Sequence, residues 1–271
     1  MEVVAAIAAE WAAMEGWNPG LDDAQRFVHA DPGAFLCTED DGAVVATCSC
    51  ALYGSGYAFV GFYIVREDLR GQGLGLALFE RALARADGRV IGLDGVLEQE
   101  ETYVRSGFEL AHRNTRYEGS GGGERPAGLV DLADVPADAL HTYDAAVFGC
   151  ERRAFLDAWV ADRPPGMALA LTGGDGLRGY AVGRPCRVGV KIGPLFADDS
   201  DTADALFRGI AAAAGDDTPL FLDVPEPNAE AESLAHRYAM QPVFATARMY
   251  RGGAPADDVG RVYGVTTFEF G

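Results

Sequence analysis

Two rhythms of apolar and polar positions alternate along the first half of the chain. Val3 to Glu15 and Asp22 to Ala30 carry apolar residues at helical spacing, so a helix is expected over each. Phe35 to Thr38, Ala43 to Tyr53 and Tyr57 to Val65 are short apolar runs bounded by turn residues, which predicts three strands. A third helix is expected at Leu74 to Ala86, where Leu74, Leu78, Ala82 and Ala86 share a stripe opposite Glu80, Arg81 and Arg85, and Gly88 supplies the stop. A strand near Val90 to Leu93, a short helix near Glu98 to Ser106 and a strand near Phe108 to Tyr117 follow. The sum is α/β (α+β), with a mainly antiparallel middle.

Gly119-Ser-Gly-Gly-Gly-Glu-Arg-Pro126 is too glycine-rich to favour a helix or strand, so it reads as a linker that divides the chain nearly in half. Short words of the first half recur after it. Pro32-Gly33 returns as Pro165-Gly166, Ala77-Leu78-Phe79 as Ala205-Leu206-Phe207, Leu93-Asp94 as Leu222-Asp223, and Tyr117-x-Gly119 as Tyr250-x-Gly252. The offsets, 133, 128, 129 and 133, run in one order and point to an internal duplication. The expected division is 1–119, a linker at 120–126, and 127–271. A final strand is expected at Val262 to Phe270, returning to the seam between the halves.

Composition narrows the partners. The 271 residues are 49% hydrophobic, enough for a sizeable core, and 41 acidic against 22 basic residues give a net charge of −19. Such a chain repels phosphate backbones and anionic membranes, which argues against nucleic acid or a membrane as partner. The long uncharged run from Ala43 to Val65 is broken by Gly54-Ser55-Gly56 and fits two strands better than a bilayer span. Met1-Glu2-Val3 leads into a helix without the basic start of a signal peptide. The five cysteines are odd in number and lack paired metal spacing, and His29, His112, His141 and His236 are scattered. A reduced, cytoplasmic setting and no metal are expected.

The segment that carries chemistry is Gly61-Phe-Tyr-Ile-Val-Arg-Glu-Asp-Leu-Arg70-Gly-Gln-Gly-Leu-Gly75. A strand ends, a short loop carries Arg70-x-x-Gly73-x-Gly75, and an amphipathic helix begins. Glycines there let a ligand approach the backbone, and the unpaired N–H groups of the first helical turn favour a pyrophosphate. The loop lacks the Lys-Ser/Thr of a P-loop. These residues resemble the GNAT superfamily of acyl-CoA N-acyltransferases, whose phosphate signature is Arg/Gln-x-x-Gly-x-Gly/Ala. Tyr103-x-x-x-Gly107-Phe108 is similar to that family's late motif. The resemblance covers Val3 to Gly119. The second half looks like the degenerate GNAT-like domain of tandem members, and the closing Tyr263 to Gly271 fits that subgroup.

The resemblance implies two tandem GNAT-like domains, each a mixed, mainly antiparallel sheet flanked by helices. It implies transfer of an acetyl group from acetyl-CoA, as cosubstrate, to a primary amine by direct attack in a ternary complex. Arg70, Gly71, Gln72, Gly73, Leu74 and Gly75 would hold the pyrophosphate, and the backbone of Ile64 and Val65 the pantetheine and thioester. Tyr103 would protonate the departing thiolate, although its spacing equally suits a packing residue. The strand from Tyr57 to Val65 offers no base. The chain departs from the family in opening on a helix rather than a strand, and in placing Val96 where an asparagine is usual. In the second half Asp198 to Ala203 fall where the phosphate loop would be, which predicts a charged helix cap and no second CoA. An acidic wall shared between the halves would favour a small cationic amine. The rival reading is a non-catalytic acyl-CoA sensor or interaction module, and oligomeric state, monomer or homodimer, is left open.

Overall fold

The computed structural model describes residues 2–174 and 176–271. In the first half α1 (Glu2–Met14) and α2 (Asp23–Ala30) lead into β1 (Phe35–Asp40), β2 (Ala43–Tyr53), β3 (Tyr57–Val65), α3 (Leu74–Arg85), β4 (Val90–Val96), α4 (Glu100–Arg105) and β5 (Glu109–Ser120). The second half repeats that order. It comprises β6 (Leu129–Asp131), α5 (Ala137–Phe148), α6 (Arg153–Val160), β7 (Ala168–Gly173), β8 (Gly176–Pro185), β9 (Val190–Ala197), α7 (Ser200–Ala214), β10 (Pro219–Pro225), α8 (Ala229–Arg237), β11 (Gln241–Arg251) and the short β12 (Val262–Gly264). The recurring words fall on matching places, Ala77-Leu78-Phe79 on α3 and Ala205-Leu206-Phe207 on α7, Leu93-Asp94 on β4 and Leu222-Asp223 on β10.

All the strands join one sheet, in the order β1-β2-β3-β4-β11-β5-β10-β9-β8-β7-β6, with β12 on β9. The halves therefore exchange their closing strands. β11, from the second half, pairs antiparallel with β4, and β5, from the first, pairs antiparallel with β10, while β5 and β11 pair with each other at the centre. This exchange carries β5 two residues into the glycine segment, where Gly119 and Ser120 are held opposite Leu220 and Pro219. The ladder with β10 overrides the weak strand preference of those residues.

The hydrophobic core is also shared. Phe27 of α2 stacks on Phe270 at 3.9 Å and on Trp159 of α6 at 5.5 Å, and Phe155 stacks on Trp159 at 5.1 Å. Each such side chain, fully buried, contributes about 1.5–3 kcal/mol, so the seam is as strongly apolar as a domain interior.

The expected strand from Val262 to Phe270 is shorter. Only Val262–Gly264 is strand, and residues 265–271 run on as a buried, irregular strap. The strap lies across two glycines that occupy matching positions in β3 and β9, and there it has no ladder to join. A Cβ at Gly193 would stand 2.4 Å from the Thr266 carbonyl oxygen, and one at Gly61 2.1 Å from that of Glu269. The Tyr53 hydroxyl donates to the Phe270 carbonyl at 2.7 Å, and Arg152 donates to Thr266 Oγ1 at 3.0 Å, which fixes the strap's path.

Candidate active site

β3 and β4 run parallel and pair only from Tyr57↔Val90 to Val60↔Leu93. Beyond that point they splay. β3 bends away because it carries an extra residue opposite Cys48, between the pairs Ser49↔Gly61 and Thr47↔Ile64, and Phe62 takes the left-handed φ of +48° there. Strain of this kind in a bulky residue is held in place by its surroundings; here Thr47 Oγ1 donates to the Phe62 carbonyl at 2.9 Å. The opening is a cleft of about 440 Å³.

The glycine loop forms one end of the cleft. Gly71 and Gly73 have φ of +79° and +83°, the left-handed region that glycine enters without steric cost, and the space where their Cβ atoms would stand is empty. Gly73 caps α3 without any side-chain oxygen, so the N–H groups of the first turn face the opening unopposed. Gly75 has a different role: a Cβ there would stand 2.6 Å from the Tyr63 hydroxyl and from Val65 Cγ2, so its absence lets α3 pack down on β3. Arg70, Gly71, Gly73, Leu74 and Gly75 line the cleft, whereas the exposed Gln72 stands outside the lining. Arg70 Nε donates to the Val65 carbonyl at 2.9 Å and its guanidinium pairs with Glu15 of α1.

The two backbone positions expected to hold the thioester arm differ. Arg66 N–H donates to the Val45 carbonyl, so by the alternation of an antiparallel ladder Ile64 engages β2 while the main chain of Val65 faces the cleft. Ile64 and Val65 both line the cleft.

Tyr103 of α4 stands in the same cleft, 7% exposed, against Phe79 at 5.8 Å and Phe108 at 6.4 Å. Its ring lies on Gly95 of β4, where a Cβ would stand 2.4 Å away. The hydroxyl makes no hydrogen bond to a described residue, and burial, with Cys48 and Tyr63 adding to it, pushes its pKa well above the usual phenol range. It therefore holds its proton at neutral pH. Val96 and Gln99 complete this side of the cleft.

The opposite wall draws on both halves. Phe244 and Thr246 of β11 and Phe268 and Glu269 of the strap line it, together with Trp17, Phe62 and Asp94. The expected acidic wall is thus mainly aromatic. Of its carboxylates, Glu15 pairs with Arg70 and Asp94 with Arg248 at 2.6 Å, which leaves Glu269 without an ion pair among the described residues. Two traces of this wall were in the sequence: the Leu-Asp repeat, which marks Asp94, and the expected return of Val262 to Phe270 to the seam, which includes Phe268 and Glu269. Phe244 and Thr246 of β11 had no such signal, because they lie too far along the chain for spacing to connect them to the loop.

At the matching place in the second half only a small cavity of about 30 Å³ is lined by Phe196, Pro225, Val262 and Val265. β12 and Val265 fill the gap beyond Ile192↔Leu222, with Val262 opposite Phe196 and Val265 N–H donating to the Asp223 carbonyl at 2.8 Å. Asp199 caps α7 by accepting from Thr202 N–H at 2.8 Å, and that bond first, with Arg178 helping, holds its carboxyl below the usual range. Both features differ from the open gap and uncapped helix of the first half.

Residues 4–107 match the family described as the Acetyltransferase (GNAT) family, and residues 140–264 the one described as the Acetyltransferase (GNAT) domain. The chain belongs to the GNAT acetyltransferase family, as a tandem member. It is 30% identical over 267 residues to the holothin acyltransferase of Pseudoalteromonas sp. (strain SANK 73390), covering 98% of this chain and 90% of that protein. A solved structure from Pyrococcus horikoshii superposes with a TM-score of 0.79 at 22% identity, over 91% of this chain and 83% of that one. A tandem GNAT protein from the clavulanic acid biosynthesis pathway superposes at 0.58 and 13% identity, over 93% and 95%. The GNAT protein is an acyltransferase. Among the described residues no helix is long and apolar enough to cross a membrane, and no cluster of metal ligands occurs.

Proposed function

We propose that this GNAT protein transfers an acetyl group from acetyl-CoA to the primary amine of a small molecule, by direct attack within a ternary complex. The observation that carries the reading is that the uncapped N-terminus of α3 and the hydroxyl of Tyr103 open onto one cleft. The pyrophosphate would lie on Gly71, Gly73 and the first turn of α3, with Arg70 turning from Glu15 to meet it. That exposed pair contributes at most about 1 kcal/mol, so a phosphate can displace it. The thioester arm would run along the open edge of β3, accepting from Val65 N–H. Attack by the amine leaves a thiolate, to which Tyr103 would give its proton.

The wall of Trp17, Phe244 and Phe268 suits a flat or ring-bearing amine rather than an extended peptide, and the holothin acyltransferase supports a small acceptor. A reducing cytoplasm suits the five free thiols. The test is CoA release from acetyl-CoA across a panel of amines that includes holothin, polyamines, amino sugars and amino acids. Tight binding of acetyl-CoA with no release for any amine would favour the sensor reading.

A further inference from the structure

We propose that Glu269 is the proton acceptor for the incoming amine, delivered to the first half's cleft by the strap of residues 265–271. The assignment rests on the acetyl-transfer reading above and adds the base that β3 lacks. An amine arrives largely as an ammonium at neutral pH, and it cannot attack until a proton leaves it.

Three observations place Glu269 in that role. It is 2% exposed yet lines the cleft, so its carboxylate faces the cavity and not bulk solvent. Its position is fixed by contact of its main chain with Gly61, at the point where β3 starts to diverge from β4, just before the segment expected to hold the thioester. Thr267 Oγ1 donates to Oε2 and accepts from Glu269 N–H at 3.2 Å, which orients the carboxylate, while Oε1 makes no hydrogen bond to a described residue. Glu15 and Asp94 line the same cleft but are engaged by Arg70 and Arg248. Thr246 lines the same cleft, and its buried Oγ1 has no hydrogen-bond partner among the described residues. A carboxylate oxygen and a hydroxyl without partners, on residues that line one cleft, suit a group that donates hydrogen bonds, as an ammonium does.

The step balances. Oε1 takes one proton from the ammonium, the freed nitrogen lone pair forms the bond to the thioester carbon, and the C–S bond breaks with its electron pair on sulfur. Tyr103 protonates the thiolate and is reprotonated by the second N–H proton that the nitrogen loses. Glu269 passes its proton to water, which gives the one proton released per turnover of an ammonium substrate.

The experiment compares the wild type with Glu269→Gln, using the best strongly basic amine from the panel. The Gln variant keeps the shape and the Thr267 contact, so acetyl-CoA affinity by calorimetry is expected to stay within twofold while kcat falls about 100-fold or more. For amines weak enough to be neutral at the assay pH the loss is expected to shrink below tenfold. A kcat within threefold of wild type, or one loss shared by both amine classes, would overturn the assignment. Glu269→Asp, which keeps an acid, is expected to retain at least tenfold more activity than the Gln variant, and equal values would assign Glu269 to packing alone. Wild-type protein that releases no CoA with any amine would instead overturn the acetyl-transfer reading and this one with it.

Discussion

Arg248 on β11 grips Asp94 on β4 through two bonds, Nε to Oδ1 at 2.8 Å and Nη2 to Oδ2 at 2.6 Å. The arginine belongs to the second half and the aspartate to the first. Arg116 on β5 and Asp223 on β10 make the mirror pair, at 2.6 and 2.8 Å, with the ownership reversed. The exchange of closing strands is thus locked by two buried, bidentate ion pairs, each crossing from one half to the other. Removing one partner strands a buried charge, so Arg248→Met is expected to lower unfolding free energy by about 3–5 kcal/mol, read from urea denaturation. The double variant Arg248→Met with Asp94→Asn should recover part of that loss, and a double variant no better than the single would disprove the coupling.

The same exchange governs whether half the chain can stand alone. Residues 1–119 without their partner would expose the β4 edge that β11 covers and the core face that meets Phe155, Trp159 and Phe270. This fragment is expected to aggregate or to lack a cooperative thermal transition. A monomeric fragment with native-like melting would show that the seam is dispensable.

Gly73 of the proposed phosphate site is best probed with alanine. Gly73 has φ of +83°, where a β-branched residue is strongly strained, but the space around it is open. Gly73→Ala should cost roughly 1–2 kcal/mol of stability and weaken acetyl-CoA at least tenfold. Calorimetry on the wild type should give one CoA equivalent per chain, because β12 and the Asp199 cap occupy the second half's gap. Two equivalents, or unchanged affinity in the variant, would refute this placement.

Tyr103→Phe keeps the ring between Phe79 and Phe108 and over Gly95, and removes only the acidic proton. A fall in kcat of roughly 10²-fold with acetyl-CoA binding unchanged is expected. Turnover within a few-fold of wild type would return Tyr103 to packing.

His112, opposite Arg248 in the pairing of β5 with β11, gives a pH signature. Burial first, and then Arg248, lower its pKa from 6.5 to about 4. The folded state therefore binds fewer protons than the unfolded state between those values, and stability falls as pH drops through that window. His112→Gln should flatten the fall, which is measured as the urea midpoint against pH between about 6.5 and about 4. Parallel curves for the two proteins would exclude His112 as a source.

The sequence determined most of the elements, the duplication and the glycine loop at the start of α3, because those signals are local. Helical and alternating periodicities, glycines at a strand-to-helix junction and Tyr103 ahead of Gly107-Phe108 each span few residues. The loop's chemistry depends on backbone conformation and a helix end, which short spacings specify. The far wall of the cleft depends on which strands become neighbours. That choice pairs β11 with β4 and seats Glu269 on Gly61, contacts separated by more than 150 and 200 residues. No periodicity encodes such distances. They were decided by the shared aromatic core and the crossed pairs of Arg116 and Arg248, which reach low energy only when both halves close on each other. The linker glycines and the strap show the same dependence: the ladder with β10 made Gly119 and Ser120 strand, and the lack of one left residues 265–271 irregular but buried.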